Sequence, residues 1–133
     1  MNILGFDPGK DKCGVAIMTE EQTILTHQVV RSDQAISTIK LLREKYQIQT
    51  LIMGDQTTSK KWKKQLQENL TPEISIIMID ERNSSLEARD LYWQMYPAKG
   101  LKKLIPQGLR IPPRPIDDLV AILLIKKYLK LGI

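Results

Sequence analysis

The feature that most constrains this 133-residue chain is a change of hydrophobic period at Ser32. Before it lie three short runs: Ile3, Leu4 and Phe6; Gly14-Val15-Ala16-Ile17-Met18; and Thr23 to Val30. Asp7-Pro8-Gly9 and Glu20-Glu21 separate them, which predicts three strands joined by tight turns as an antiparallel meander. After Ser32 the spacing becomes helical, with Ile36, Ile39, Leu42 and Tyr46 on one face and Ser32 or Asp33 placed to cap it. A strand at Thr50 to Met53 follows, closed by Gly54, then a helix on Trp62, Leu66 and Leu70, a strand at Ile74 to Ile79 and a third helix. Strands separated by helices pair in parallel through crossovers. The expected fold is α/β: a mixed five-stranded sheet, antiparallel meander plus parallel strands, flanked by helices.

The third helix carries a start signal, Ser84 followed three residues later by Glu87, a capping box ahead of Leu86, Leu91 and Trp93. Pro97 to Pro115 is rich in proline and glycine and contains no acid, which predicts a mobile, basic loop. Asp117 to Leu131 is a strongly apolar helix that needs burial against the sheet. With 42% hydrophobic residues the length suffices for one core, so a single domain over 1–133 is expected. Neither a signal peptide nor a membrane span is legible, and the cytoplasm is the default compartment.

Twenty basic residues against 15 acidic ones give a net charge of +5, which suits an anionic partner. One cysteine, Cys13, and one histidine, His27, exclude an intramolecular disulfide and leave no inventory for a zinc site, and both read as structural, so any catalytic metal must be held by oxygen. Trp62 and Trp93 read as core anchors, though an exposed Trp62 could stack on a base. Gly9-Lys10 is no phosphate-binding P-loop, because Gly5 has the wrong spacing and Asp11 stands where Ser or Thr is needed.

Three acids share a placement. Asp7 ends the first strand, Glu81 lies just past the strand ending at Ile79, and Asp117 opens the last helix. Ends of elements line the ligand crevice of an open α/β sheet, and convergent carboxylates repel unless a cation lies between them. Magnesium prefers such oxygens, and two ions about 3.5–4 Å apart can clamp a phosphodiester. On this reading Asp7, Glu81 and Asp117 are catalytic metal ligands. Neighbours on a helix point about 100° apart, so only one of Asp117 and Asp118 faces the site, with Asp118 in reserve.

These residues carry a resemblance. Gly5-Phe6-Asp7-Pro8-Gly9 followed by Gly14-Val15-Ala16 is similar to the first motif of the RNase H-like Holliday-junction resolvases. Asp80-Glu81-Arg82-Asn83-Ser84-Ser85-Leu86-Glu87-Ala88 resembles the second motif of the YqgF family within them, and Asp117-Asp118-Leu119-Val120-Ala121 its terminal-helix motif. The chain departs from that pattern at Gly54-Asp55-Gln56-Thr57-Thr58-Ser59, where the family usually has a Gly-x-Pro loop, and at Val120, where the small pair usually holds two alanines. The resemblance implies an RNase H-like fold and a Mg2+- or Mn2+-dependent endonuclease, with Asp55 at the end of the fourth strand as a reserve metal ligand ranked behind Glu81. Its substrate would be branched DNA such as a Holliday junction, or structured precursor rRNA.

Lys60, Lys61, Lys63 and Lys64 open the second helix against the macrodipole, a local cost that suggests a use in holding phosphates. Lys99, Lys102, Lys103, Arg110 and Arg114 in the late loop offer the same, and Arg82 could contact the scissile phosphate or pair with a carboxylate. A two-fold DNA junction favours a homodimer, although no interface is legible. Two rivals stand: a nucleic-acid binder that has kept the fold without catalysis, and a fragment of an actin-like ATPase, whose phosphate loop has a similar Asp-x-Gly turn.

Overall fold

The computed structural model describes residues 1–55, 58–80 and 84–130, with the backbone alone at Ser84, Ser85 and Lys102. The strands are β1 (Asn2–Asp7), β2 (Lys12–Thr19), β3 (Ile24–Arg31), β4 (Ile48–Gly54) and β5 (Ser75–Ile79). The helices are α1 (Ala35–Tyr46), α2 (Ser59–Asn69), α3 (Ser84–Met95) and α4 (Asp117–Lys130). The five strands form one sheet in the order β3-β2-β1-β4-β5. β1 pairs antiparallel with β2 and β2 with β3, whereas β1, β4 and β5 run parallel. Meander and crossovers thus meet at β1, and the C-terminal ends of β1, β4 and β5 share one edge.

Strand periodicity sorts the core onto two faces. Leu4, Phe6, Val15, Ile17, Leu51 and Met53 pack with Ile39 and Leu42 of α1 and Leu66 of α2. Ile3, Ala16, Met18 and Ile52 pack with Ala88, Leu91 and Trp93 of α3 and with α4. Both faces are covered, which explains why β1 and β2 read as nearly continuous apolar runs. In α4, Leu119, Val120, Ala121, Ile122, Leu124 and Ile125 are all buried, each branched side chain contributing roughly 1.5–3 kcal/mol of burial.

The first helix departs from expectation. A short 3-10 turn, Ser32–Gln34, precedes α1, which starts at Ala35 with no side-chain cap. Neither expected cap is available: Asp33 pairs with Arg31 at 2.7 Å, and the Ser32 hydroxyl donates to the Gly9 carbonyl at 2.8 Å. Within the late loop two short 3-10 turns form, Gly100–Leu104 and Gln107–Leu109.

Candidate active site

Strand parity places Asp7. Ile3 faces α4, Leu4 and Phe6 face α1 and α2, and Asp7 shares the parity of Ile3. Its carboxylate therefore leaves the sheet on the α4 side, at the edge where β1 ends, and it is buried. Asp7 is paired across the sheet with Gly14 of β2. An added Cβ at Gly14 would lie 1.8 Å from the Asp117 carbonyl oxygen, so α4 begins directly on top of this strand pair. A second close approach, between Gly5 and the Ala121 carbonyl, keeps the next turn of α4 equally low.

The result is a carboxylate pair. Asp7 and Asp117 lie within side-chain hydrogen-bonding reach of each other, and two carboxylates so placed repel unless a proton or a cation lies between them. Burial pushes the Asp117 carboxyl above the usual aspartate range; the bond to Asp7 and its own backbone bond pull the other way, the Asp118 charge pushes it up, and Lys12 pulls it down. Lys12 is exposed at the start of β2 and was not singled out by sequence reasoning, because a lone lysine beside a turn carries no pattern.

Asp118 takes a different direction. Its Oδ2 accepts from His27 Nδ1 at 2.6 Å and its Oδ1 from Arg114 Nη1 at 3.0 Å, and the carboxylate is almost wholly buried. Both oxygens are committed within the protein, so Asp118, a reserve metal ligand by sequence, is bound up in fixing the first turn of α4 between β3 and the late loop. Adjacent acids at the helix start also suit its macrodipole. His27 is thereby a supporting residue of the site, 91 positions from its partner.

Behind Asp7, the Asp7-Pro8-Gly9 turn is tied down by Ser32, whose Oγ also lies 3.5 Å from Cys13 Sγ, while the Gly9 N–H reaches the same sulfur at 3.5 Å. Cys13 is fully buried, and burial raises its thiol pKa, which keeps it protonated and structural. A cleft of about 560 Å³ opens between this turn and the start of α2, lined by Gly9, Lys10, Ser32, Lys61, Trp62 and Gln65 among others. Trp62 packs edge-on against Phe6 at 5.3 Å. Lys60, Lys61 and Lys64 are all exposed along α2.

Asp55 lies one residue beyond β4, exposed, with its N–H on the Ile79 carbonyl at 3.1 Å. Glu81 and Arg82 lie outside the described residues, as does the Lys102 side chain. Among the described residues no group of three or more His, Cys, Asp or Glu converges as a metal cage. In the late loop Lys103 is exposed. The two arginines of that loop are turned inward: Arg110 lies over Trp93 at 5.6 Å and donates to the Ile105 carbonyl at 2.8 Å. Arg114 lies over Tyr92 and Tyr96 as well as on Asp118. They brace the loop against α3 in this arrangement.

Solved structures place the fold. Over 99% of this chain and 96% of the other, it is similar to RuvC of T. thermophilus in complex with Holliday junction substrate, with a TM-score of 0.61 at 13% identity. The fowlpox virus Holliday junction resolvase matches over 100% of both chains, with a TM-score of 0.58 at 17% identity. The architecture is thus the α/β sheet of the RuvC-like, RNase H-fold resolvases. No curated protein matches the sequence. The family model described as RuvX, Holliday junction resolvase, matches residues 1–130, and the chain belongs to that family. Family and fold together support a nuclease of branched DNA. Among the described residues no helix is long and apolar enough to cross a membrane.

Proposed function

We propose that this chain is a divalent-metal-dependent endonuclease that cuts the phosphodiester backbone of four-way DNA junctions, with Asp7 and Asp117 at the reacting centre. The observation that carries the reading is the closeness of the buried Asp7 carboxylate to the half-buried Asp117 carboxylate, where α4 is seated on β1 and β2. The donor set is oxygen only, and burial raises the pKa of one of its carboxyls, that of Asp117. Such a pair fits a cation of the magnesium class, which takes one or two protein carboxylates and completes its shell with water and phosphate oxygens. Asp7 and Asp117 would hold Mg2+ or Mn2+, with Glu81 as the third ligand. Bound there, the metal supplies Lewis-acid polarisation of the phosphate and a lowered pKa for water.

The chain's own residues do the positioning. Asp118, gripped by His27 and Arg114, fixes the first turn of α4 and hence Asp117; Ser32 fixes the turn that follows Asp7. Lys12, beside Asp117, meets the phosphate being cut, and Lys61 across the cleft from Lys10, with Lys60 and Lys64 along α2, receives the flanking backbone. One sheet with a core on each face supports a single domain over the whole chain. The two-fold symmetry of a junction supports action as a dimer.

The test is a cleavage panel of four-way DNA junction, continuous duplex and structured precursor RNA with Mg2+ or Mn2+, comparing the native chain with Asp7→Asn. Junction cutting that needs metal and disappears in the folded variant supports the reading. Cutting confined to RNA would move the substrate to precursor rRNA, and binding without cutting under both metals would make the protein a non-catalytic junction binder.

A further inference from the structure

Pro97 to Pro115 holds five cations and no acid, as many as the whole chain's net excess of +5, so the remainder of the protein is charge-balanced. Arg110 and Arg114 are folded back onto α3, whereas Lys99 and Lys103 are exposed. Among these cations stand Leu101, Leu104, Leu109 and Ile111, exposed by 82%, 80%, 73% and 75%, with Ile105 at 42%. The backbone that presents them is held. Arg110 closes on the Ile105 carbonyl, the Gln107 amide reaches Asp90 at 3.2 Å, and two 3-10 turns stiffen the tip. Five large apolar side chains exposed within eleven residues on a held backbone suit an interaction site.

We propose that Leu101 to Ile111 is an apolar wedge that enters the base stack of the nucleic-acid substrate where its pairing is interrupted, with Lys99 and Lys103 on the flanking phosphates. The proposal rests on the nuclease reading above. Two observations and one general principle favour this occupant. The segment runs directly into α4, and Arg114 locks its end onto Asp118, next to Asp117, so a strand gripped by the loop lies beside the carboxylate pair. Aliphatic side chains inserted between base steps unstack and kink a duplex, which costs least where bases are already unpaired. The charge within the segment is of one sign, which suits phosphates and would repel a second copy of the same loop across a two-fold axis.

The experiment uses a four-way DNA junction carrying 2-aminopurine at the branch point and a continuous duplex of the same sequence, with calcium in place of magnesium to keep the DNA whole. The native chain raises the 2-aminopurine fluorescence of the junction. Leu104→Ser with Leu109→Ser, at exposed positions that leave the thermal midpoint unchanged, loses that rise and binds the junction about ten-fold more weakly, with duplex affinity unaltered. Lys99→Gln with Lys103→Gln weakens both DNAs alike and keeps the rise at saturation. A double leucine variant with the native fluorescence response and affinity overturns the wedge. So does an unchanged response accompanied by conversion of a dimer to a monomer in sedimentation, which assigns the patch to a second copy, or by lost pelleting with phosphatidylserine vesicles, which assigns it to a membrane surface. Native protein that cuts the junction without unstacking it also refutes the wedge and leaves the nuclease reading intact. Unstacking with no cutting under magnesium or manganese refutes the nuclease reading and leaves the wedge.

Discussion

Gly14→Ala probes how the carboxylate pair is held. Its new methyl carbon would start 1.8 Å from the Asp117 carbonyl oxygen, 2.0 Å from the Asp117 carbonyl carbon and 2.5 Å from the Asp118 nitrogen. All three are backbone atoms, so no side chain can rotate away. Restoring ordinary contact, which begins at 3.4 Å, moves the first turn of α4 off β2 by about 1.6 Å, the difference between 3.4 and 1.8 Å. That displacement opens the Asp7 to Asp117 contact and draws Asp118 away from His27. Overpacking of this sort costs about 1–3 kcal/mol, and a misplacement near 1 Å in a catalytic group costs on the order of 100-fold in rate. The assay pairs urea denaturation with initial rates of junction cleavage. Gly5→Ala serves as the comparison: its methyl meets the Ala121 carbonyl oxygen at 2.3 Å, in a turn of α4 that carries no carboxylate. We expect similar destabilisation of the two variants and a much larger loss of cutting for Gly14→Ala. Native stability and native rate in Gly14→Ala would refute the reasoning.

Other expectations follow from the same geometry. Asp117→Asn stabilises the apo protein at pH 7 while abolishing cleavage. Because the folded carboxyl pKa lies above the unfolded value of 3.8, its favourable contribution is complete below 3.8 and is lost as pH rises through the folded pKa, so the variant's thermal advantage should shrink toward pH 3; an advantage that grows in acid would contradict this. His27→Ala leaves Asp118 Oδ2 buried without its donor, a loss of about 1–3 kcal/mol in urea unfolding that a merely exposed histidine would not produce. Neutralising Lys60, Lys61 and Lys64 to Gln should flatten the salt dependence of junction binding by about 0.9 in log–log slope for each phosphate that is no longer neutralised. The same change should not lower the thermal midpoint, since these charges oppose the α2 macrodipole.

The elements were legible in the sequence because the helices announce their period and the strands stand as short apolar runs between turn residues, unbroken in β1 and β2 because both their faces are covered. The edge positions of Asp7 and Asp117 follow from the same reading. What the sequence does not reveal is vertical distance. Gly5 and Gly14 register there only as pieces of a motif; their physical role, letting α4 rest on bare backbone, appears once the helix is in place. The bond between His27 and Asp118 spans 91 residues and has no local signature. Ser32 looks like a helix cap by type and position, yet the Gly9 carbonyl competes successfully for its hydroxyl. In the late loop, composition reveals the charge but not that its arginines fold inward onto aromatic rings while its leucines face out.

The most direct measurement of the central claim is Mn2+ binding, followed by electron paramagnetic resonance, to the native chain, Asp7→Asn, Asp117→Asn and Asp118→Asn. The account predicts that the first two variants each lose the bound ion and that Asp118→Asn retains it. Native-like binding in Asp7→Asn and Asp117→Asn, or loss confined to Asp118→Asn, would contradict it.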